Sequence, residues 1–466
     1  MVMGESAEAV DLLVIGGGPA GYPAALRAAQ LGRRVTLVDR DGIGGVCLNV
    51  GCIPSKTLIE AAEAQMIVRR MGGAEVLVDD LSAWQDHKAA VVGGLVKGVT
   101  GTLERAGVDI ISGVARFTGR GRVAVQKADG TTVFLEFRHA ILATGSRPAT
   151  VPVAAVDGQR VIDSTGALAL RAVPKRMVVV GAGYIGIELA TAYAKLGAEV
   201  TVVEMKDRVL PEMPKLFARP VAKRLTELGV TVHAGGTVLG VEDDGVVCRL
   251  GNEETVLPAD TVLVAVGRRP NTDDIGLDAA RIPRGPDGRI AVGPDRLIPG
   301  TNIAAVGDIT PGPMLAHKGT AEGIVAAEAV CGKRSAFDPA AIPLVVFSDP
   351  EVASAGHTED SAREAGLSAK AVTVPITALG RAATMGARDG FTQLVVDRDR
   401  DAIVGVHIVG PHASDLIAEG VLAIELAAAP GDLAATIHAH PTLAEGLQEA
   451  AGRHVHTAHH ETELPH

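Results

Sequence analysis

Two segments of the chain repeat one pattern: an apolar run, a glycine-rich turn, a helix-like stretch and a second apolar run that ends in a carboxylate. The first copy spans residues 11–39 and the second spans residues 177–204. A strand, a turn, a helix and a second strand in this order form a βαβ unit with parallel strands. The separation of the copies is far longer than a solenoid period, so we expect two distinct α/β domains.

The glycine-rich turns each carry the pattern G-x-G-x-x-G. The first glycine permits a tight turn, the second lets the backbone approach a pyrophosphate, and the third lets the helix pack against the strand. Chance glycine turns would not each follow a strand, open a helix and precede a carboxylate, so we expect two Rossmann-like dinucleotide-binding domains. The motif glycines are Gly16, Gly18 and Gly21 in the first copy and Gly181, Gly183 and Gly186 in the second.

The carboxylates that end the second strands are Asp39 and Glu204. Each is placed to accept hydrogen bonds from ribose hydroxyls. A carboxylate also repels a 2′-phosphate, so Glu204 favours NAD over NADP. Lys206 and Arg208 follow closely and weaken this preference.

The composition argues against several classes of partner. Of the 466 residues 47% are hydrophobic but only 2% are aromatic, and the net charge is −11. Base stacking needs aromatic side chains, and phosphate backbones or anionic membranes need basic patches, so neither nucleic acid nor a membrane is expected as a partner. The N-terminus is acidic where a signal peptide is basic, and no apolar run reaches the ~18 residues of a membrane span. We expect a cytoplasmic protein.

The chain is expected to divide into four parts. Residues 1–149 and 272–341 form the first nucleotide-binding domain in two segments, and residues 150–271 form the second. A β-rich stretch at 112–138 predicts a meander inserted in the first domain, followed by a return strand at 139–145. Residues 342–466 alternate like antiparallel strands and then turn helical, which predicts a separate α+β domain. The histidine-rich tail HVHTAHHETELPH is expected to be frayed.

Two of the four cysteines, Cys47 and Cys52, lie close together in GGVCLNVGCIPSK. Three interpretations are open: small core residues, half of a metal site, or a redox pair. A structural zinc site needs four ligands, but the other cysteines are isolated and no histidine lies nearby, so no metal is expected. Pro54 favours a helix start, and the helix dipole together with Lys56 would stabilise a thiolate. These observations favour a redox pair, with the other two cysteines as buried small residues.

The cysteine segment and five others resemble the motifs of one enzyme family. GGVCLNVGCIPSKTL is similar to the redox motif of the flavin-dependent pyridine nucleotide-disulfide oxidoreductases. ATGSRP, VAVGRRPNT, VGD, GPMLAHKG and HAHPTLAE follow in the family's order, and the resemblance runs through essentially the whole chain. GPMLAHKG and HAHPTLAE resemble most closely the members that oxidise dihydrolipoamide, whereas glutathione and mercuric reductases share the cysteine motif.

The resemblance implies a homodimer, with residues 342–466 as its dimerisation domain, and a role for each catalytic candidate. Cys47 matches the thiol that exchanges with substrate, and Cys52 matches the thiol against the flavin. His440 matches the acid/base and Glu445 its carboxylate partner, both supplied by the other subunit. A lysine–glutamate pair is implied near the reactive flavin edge. The catalytic candidates are Cys47, Cys52, Lys56, Glu188, His440 and Glu445.

The resemblance also implies FAD on the first glycine motif and NAD on the second. Asp39 would lie at the adenosine ribose, Asp308 at the ribityl chain and Glu204 at the NAD ribose. The candidates for cofactor binding are Gly16, Gly18, Gly21, Asp39, Lys56, Thr144, Gly145, Asp308, Met314, Leu315, Ala316, Gly181, Gly183, Gly186, Glu204 and Gly267.

The implied function is oxidation of protein-bound dihydrolipoamide with reduction of NAD, through a Cys47–Cys52 disulfide. No lipoyl domain precedes residue 11, so lipoamide is expected on a partner, the lipoyl domain of an E2 or H-protein. Two alternatives are an NADPH-dependent reductase of another small disulfide and a non-catalytic flavoprotein that senses NADH. Asp39 stands where the family usually has glutamate, which gives a shorter reach for the same bond. Tyr184 resembles a tyrosine that gates the nicotinamide pocket in glutathione reductases, and this resemblance keeps the first alternative open.

Overall fold

The structure is a computed structural model and describes residues 7–72 and 80–463. The acidic N-terminal stretch was the basis for predicting that the chain has no signal peptide, and most of it lies outside the described residues. The first strands are β1 (Glu8–Ile15), β2 (Val35–Asp39), β3 (Asp109–Ser112), β4 (Val114–Gly119), β5 (Arg122–Gln126), β6 (Thr132–Leu142) and β7 (Ser146–Pro148). The helices among them are α1 (Gly21–Gln30), α2 (Gly45–Val50), α3 (Cys52–Arg70) and α4 (Ser82–Arg105).

The second βαβ pattern lies in the next set of elements. The strands are β8 (Val161–Ile162), β9 (Arg176–Val180), β10 (Glu199–Glu204), β11 (Thr231–Ala234), β12 (Thr237–Glu242), β13 (Gly245–Leu250), β14 (Glu253–Pro258), β15 (Thr261–Val264), β16 (Arg268–Pro270) and, further on, β17 (Ile303–Ala305). The helices are α5 (Ser164–Ala167), α6 (Tyr184–Leu196), α7 (Lys215–Glu227), α8 (Leu277–Ala280) and α9 (Ala316–Val330).

The C-terminal region alternates between strands and helices. Its strands are β18 (Leu344–Val346), β19 (Val352–Gly356), β20 (Ala369–Pro375), β21 (Phe391–Asp397) and β22 (Ala402–Val409). Its helices are α10 (Glu359–Glu364), α11 (Gly380–Thr384), α12 (Ala413–Glu425), α13 (Pro430–Ala435) and α14 (Glu445–Glu463).

The two glycine motifs lie at equivalent places in two similar sheets. In the first sheet β1 pairs in parallel with β2 and β6, within the strand order β3-β2-β1-β6-β5-β4, and β17 joins the other side of β6. In the second, β9 pairs in parallel with β10 and β15, within the order β11-β10-β9-β15-β8. Each glycine turn therefore leaves the carboxyl end of an inner parallel strand, where ligands bind in sheets of this kind.

The last strand of the predicted meander and the predicted return strand are one continuous element. Strand β6 pairs antiparallel with β5 over residues 132–136 and parallel with β1 over residues 135–142. The expectation of a separate strand at 139–145 is therefore wrong in its boundaries. Because β6 ends at Leu142, Ala143 and the residues after it emerge beside the first glycine turn, where the Ala143 N–H donates to the Ile15 carbonyl at 2.8 Å.

The C-terminal strands form an antiparallel sheet in the order β18-β19-β22-β21-β20, packed on α12 and α14. The predicted fold class, two doubly wound α/β units followed by an α+β unit, is confirmed. The division of the chain at residues 149, 271 and 341 stays a prediction. Among the helices of the described residues, none has the length and apolar character to cross a membrane.

The histidine-rich tail differs from its prediction. Helix α14 continues through most of it and ends at Glu463, so the expected fraying is wrong for residues 454–463. Near the start of this stretch the His454 side chain is buried at 8% exposure against the rest of the fold, which explains why the helix continues past it. The last three residues lie outside the described residues.

Candidate active site

A cavity of about 440 Å³ opens at the carboxyl end of the first sheet, beside the first glycine turn. It is lined by side chains and backbone of segments that lie up to about three hundred residues apart in the sequence. Gly21 is the one candidate of the first glycine motif that does not line it. The predicted residues that do line it are Gly16, Gly18, Asp39, Cys47, Cys52, Lys56, Thr144, Gly145, Glu188, Asp308, Met314, Leu315 and Ala316.

The first glycine turn has the geometry that a bound pyrophosphate requires. Gly16 has a φ of +106°, and a Cβ there would lie 2.2 Å from the Ala143 carbonyl oxygen. A Cβ at Gly21 would lie 1.7 Å from the Gly16 carbonyl oxygen, so helix α1 could not pack as it does. At Gly18 the nearest atom to a Cβ is the Gly45 Cα at 3.7 Å, which leaves room on the cavity side for a phosphate.

The second turn reproduces these three relations. Gly181 has a φ of +102° and Gly186 would place a Cβ 2.1 Å from the Gly181 carbonyl oxygen. A Cβ at Gly183 would meet nothing within 4 Å. Both turns thus combine a tight bend, a close helix contact and an open middle position. Gly183 opens α6, whose N-terminal N–H groups suit an anion.

The carboxylates at the ends of β2 and β10 hold their turns in the same way. Asp39 accepts from the Gly17 N–H at 2.6 Å, and Glu204 accepts from the Ala182 N–H at 2.7 Å. Glu204 is buried and also accepts from the Lys206 N–H at 2.8 Å. The Lys206 ammonium itself donates to Glu212 at 2.6 Å, so it is already paired with a carboxylate.

The two cysteines lie on different helices. Cys47 is in the middle of α2, whereas Cys52 is the first residue of α3, at the positive end of the helix dipole. Both are free thiols, and the Cys47 thiol donates to Cys52. That hydrogen bond, aided by the charge of Lys56, lowers the pKa of Cys52 to about 7 although burial acts against it. The same hydrogen bond and burial raise the pKa of Cys47.

Lys56 lies one turn after Cys52 and joins three regions of the chain. Its ammonium donates to Glu188 Oε2 on α6 at 2.7 Å and lies 4.4 Å from the ring centre of Phe347. The other oxygen, Glu188 Oε1, accepts from the Phe347 N–H at 2.9 Å. The Glu188 side chain is only 5% exposed, and each of its two oxygens accepts a hydrogen bond from the protein in place of solvent. No local signal in the sequence predicted the contribution of Phe347.

Asp308 accepts from a serine, itself bound by an arginine, and the sequence analysis named neither of these residues. Ser146 donates to Asp308 Oδ2 at 2.5 Å, and the Arg268 Nε donates to the Ser146 oxygen at 2.7 Å. All three line the cavity. Ser146 and Arg268 lie inside the motifs ATGSRP and VAVGRRPNT, so the motifs contained the signal although the pairing needed the fold.

His440 and Glu445 form a pair away from the cavity lining. The His440 Nδ1 lies 2.8 Å from Glu445 Oε1, and a carboxylate can only accept, so Nδ1 carries the proton and Nε2 is left to act as a base. The His440 side chain is 77% exposed. The hydrogen bond from His440, with another from the Thr442 N–H, lowers the pKa of Glu445.

A second histidine–glutamate pair lies two residues earlier. His438 Nε2 contacts Glu419 Oε1 at 2.8 Å, its Nδ1 lies 2.9 Å from the Thr436 carbonyl oxygen, and its side chain is only 6% exposed. Both ring nitrogens face acceptors within the same chain, so neither is directed at a substrate. A structural role for this histidine stays a prediction.

Comparison with known sequences identifies the family. Residues 10–323 match Pyridine nucleotide-disulphide oxidoreductase, and residues 342–451 match the dimerisation domain of the same name. The chain belongs to the pyridine nucleotide-disulphide oxidoreductase family. As a member it is an oxidoreductase, and its dimerisation domain supports a homodimer, as predicted.

Several family members resemble the chain over nearly their whole length. The dihydrolipoyl dehydrogenase of Geobacillus stearothermophilus is 48% identical over 97% of both chains, and that of Halobacterium salinarum is 45% identical over 98% of this chain and 99% of its own. Among solved structures, LpdA from Mycobacterium tuberculosis has a TM-score of 0.89 with 30% identity over 95% of this chain and 99% of its own. The HOCl-induced flavoprotein disulfide reductase RclA from Escherichia coli has a TM-score of 0.84 with 26% identity over 95% and 99%.

Members of this family use FAD and NAD(H), as predicted, and the residues of this chain fit both groups. The open positions at Gly18 and Gly183 are spaces that a Cβ would fill and a pyrophosphate can use. Asp39 and Glu204 are fixed by backbone N–H groups next to those spaces. Within the described residues, no group of three or more His, Cys, Asp or Glu side chains is arranged to hold a metal ion.

Proposed function

We propose that the protein oxidises dihydrolipoamide to lipoamide and reduces NAD, as a dihydrolipoyl dehydrogenase. The similarity to enzymes of that name over nearly the entire chain carries the proposal. The site supports it independently, because a close pair of thiols with opposed pKa shifts lines a nucleotide-sized cavity. The oxidation needs a disulfide that accepts two electrons and a base that accepts a proton, and the chain has a candidate for each.

The first step assigns roles to His440 and Cys47. With Glu445 holding the proton on Nδ1, the free Nε2 of His440 takes a proton from one substrate thiol. The resulting thiolate attacks the Cys47 sulfur in the oxidised Cys47–Cys52 pair. A substrate–Cys47 disulfide forms and Cys52 leaves as a thiolate, which the Lys56 charge and the N-terminus of α3 stabilise.

The second step releases the product. The remaining substrate thiol attacks the mixed disulfide and its proton passes to Cys47, which closes the lipoamide ring and returns Cys47 as a thiol. Two electrons have then moved from the substrate to the protein, which holds the Cys47 thiol, the Cys52 thiolate and the first substrate proton on His440. The Lys56 ammonium stabilises the Cys52 thiolate throughout, while Glu188 holds that ammonium in place.

The cofactors would supply the remaining chemistry. When bound, FAD would provide an acceptor for the electron pair of the Cys47–Cys52 dithiol and NAD would provide the final acceptor, so that the disulfide could form again. We propose Gly16, Gly18, Asp39, Thr144, Gly145, Asp308 and residues 314–316 for FAD, and Gly181, Gly183, Gly186, Glu204 and Gly267 for NAD. We also propose a lipoyl domain of an E2 or H-protein as the partner that delivers the substrate, and a cytoplasmic location.

The proposal is tested by mixing the purified protein with dihydrolipoamide and NAD and following NADH formation, with Cys52→Ser as the paired variant. We expect turnover in the native protein and its loss, by more than about 10³-fold, in the variant, since a single cysteine cannot form the disulfide. A repeat with NADP should give much less turnover because Glu204 is fixed where a 2′-phosphate would bind. A protein that instead reduced another small disulfide with NADPH would overturn the proposal.

A further inference from the structure

Helices α3 and α6 are joined by two ion pairs. The first is Lys56 with Glu188 at the cavity, and the second is Glu63 with Lys195. Each residue of the second pair lies seven positions after its counterpart in the first, so the two helices run parallel and both pairs lie on their shared face. The charges are reversed: α3 supplies the lysine of the first pair and the glutamate of the second.

The reversed order of charges opposes sliding of the helices. A slip of two turns in one direction would bring Lys56 opposite Lys195, and in the other direction it would bring Glu63 opposite Glu188. Like charges in a partly buried contact repel, so neither slip is favourable. With a single ion pair, α3 could slide slightly along α6 while the flexible lysine side chain kept its contact. Two pairs of opposite order fix the position of α3 along α6.

Lys195 is the more buried of the two lysines, although its partner Glu63 is 40% exposed. The Lys195 side chain is 5% exposed, against 31% for Lys56. A buried ammonium needs charged partners, and besides Glu63 it contacts Asp349 Oδ2 at 2.8 Å. Asp349 also accepts from the Arg224 Nε at 2.9 Å. Burial alone raises the pKa of Asp349, yet the two cations together lower it, so Asp349 is an anion in this cluster.

One short segment of the C-terminal region contacts both pairs. The Phe347 N–H donates to Glu188 in the first pair, and two residues later Asp349 binds Lys195 in the second. Both of these contacts are to α6, and the segment meets α3 through the Lys56 ammonium over the Phe347 ring, so a shift of either helix along the other would disturb contacts to this segment. The cavity pair and the buried cluster are parts of one rigid connection.

We propose that Lys195, with Glu63 and Asp349, is a positioning group that fixes α3 against α6 and so holds Lys56 beside Glu188 and Cys52. Lys195 contacts no reacting atom and acts only through the register of the two helices. The consequence for turnover rests on the proposed function, but the consequence for the Cys52 thiol does not.

The test is Lys195→Gln in the full-length holoenzyme, with the ionisation of Cys52 as the main readout. In a Cys47→Ser background the thiolate is followed by its ultraviolet absorbance from neutral to alkaline pH, because loss of the Cys47 thiol raises the starting pKa of Cys52, and Cys52→Ser supplies the baseline. We expect the pKa of Cys52 to rise by about half to one unit, because a looser Lys56 stabilises the thiolate less. With both cysteines present, kcat for dihydrolipoamide should fall about tenfold while its KM changes little.

Three matched variants complete the test. Lys195→Arg keeps the charge and should restore both the Cys52 titration and kcat. Lys223→Gln is the control: Lys223 joins another helix, α7, to the C-terminal region through Asp389 at 2.7 Å. This variant should change neither the Cys52 titration nor kcat. Glu63→Gln weakens the cluster at its more exposed member and should act in the same direction as Lys195→Gln, so the test remains decisive if Lys195→Gln does not fold.

A lower melting temperature with an unchanged Cys52 titration and kcat would show a purely structural cluster and overturn the inference. If the native protein does not oxidise dihydrolipoamide, the proposed function fails, but the Cys52 titration still decides the role of Lys195.

Discussion

The candidate site has two halves that differ in how far one chain completes them. The thiol half, Cys47 and Cys52 with the Lys56–Glu188 pair, lines a cavity, and its glutamate is 5% exposed with both oxygens bonded. The histidine half, His440 with Glu445, has its pair formed but leaves the imidazole 77% exposed. A base acts only on a proton within hydrogen-bond reach, so an imidazole facing solvent lacks a positioned substrate.

The difference indicates that each half depends on a different kind of contact. The thiol half is built from contacts within the chain, which close it whether or not a second copy is present. The histidine half has its orientation set within the chain, and its enclosure has to come from outside. The dimerisation domain that carries it supplies the means, because a symmetric dimer places the same residues of each copy against the other.

The largest expected effect tests whether the halves of one site come from two chains. Cys47→Ser and His440→Gln should each reduce dihydrolipoamide oxidation by about 10²-fold or more, because each removes a group used in every turnover. Co-expression of the two variants with different tags should recover about a quarter of native activity in the mixture, since half of random dimers are hybrids and each has one intact site. Hybrids purified through both tags should have about half of native activity, and their steady-state rates measure this.

If both halves of a site came from the same chain, no hybrid would have an intact site and no activity would return. Hybrids with the two substitutions on one chain and none on the other should be inactive under the two-chain arrangement, because each site then receives one defective half. The two kinds of hybrid thus give opposite results under the two arrangements.

The next effect concerns the internal orientation of the histidine half. Glu445→Gln should lower kcat by about 10- to 100-fold, because the neutral amide no longer stabilises a protonated His440. The amide also has one acceptor oxygen, whereas Glu445 accepts from both His440 and the Thr442 N–H. The matched control is Glu419→Gln at the His438 pair, which should leave kcat within about twofold if that pair is structural. Equal losses in both variants would contradict the assignment of His440.

A smaller effect concerns the pH dependence of the thiol half. The pKa of Cys52 is lowered to about 7, so its thiolate is present above that pH and is lost as the pH falls through it. Lys56→Gln removes a cation that lowers this pKa and should move the titration up by about one unit, so that less thiolate is present at neutral pH. Alkylation rates of the reduced protein against pH measure this. An unchanged titration would show that the Cys47 hydrogen bond alone sets the pKa.

The sequence predicted most of the thiol half because its groups lie in local patterns. The glycine turns, Asp39 and the cysteine segment each follow from the chemistry of a few neighbouring residues. Placement of Cys47 and Cys52 on separate helices was not predicted, since Pro54 marks only the second helix start. Long-range partners were also missed, because the contact of Phe347 with Glu188 joins residues 159 positions apart and leaves no periodic signal.

The boundaries of elements were the other limit. The alternation that predicts strands continues through residues 132–142, but the sequence does not show that this strand pairs antiparallel with one neighbour at its start and parallel with another over the rest of its length. At the C-terminus the polar, histidine-rich composition favoured fraying, whereas burial of His454 against the rest of the fold extends α14. In both cases tertiary packing decided what local composition left open.

The smallest expected effect concerns the surface beside the histidine half. Ile437 is 94% exposed in the single chain, three residues before His440. An exposed isoleucine contributes little to the stability of one chain, but one buried between two copies contributes about 1.5–3 kcal/mol at each symmetric position. Ile437→Ser should therefore raise the dimer dissociation constant by at least about tenfold and lower activity at dilute protein concentration.

The control is Met71→Ser, at 81% exposure on the end of α3, which removes a similar apolar side chain away from the histidine half. It should change neither the dissociation constant nor the activity at dilute protein concentration. Sedimentation equilibrium of both variants measures the difference, and equal dissociation constants would mean that the surface beside His440 stays in solvent, contrary to a site closed by a second chain.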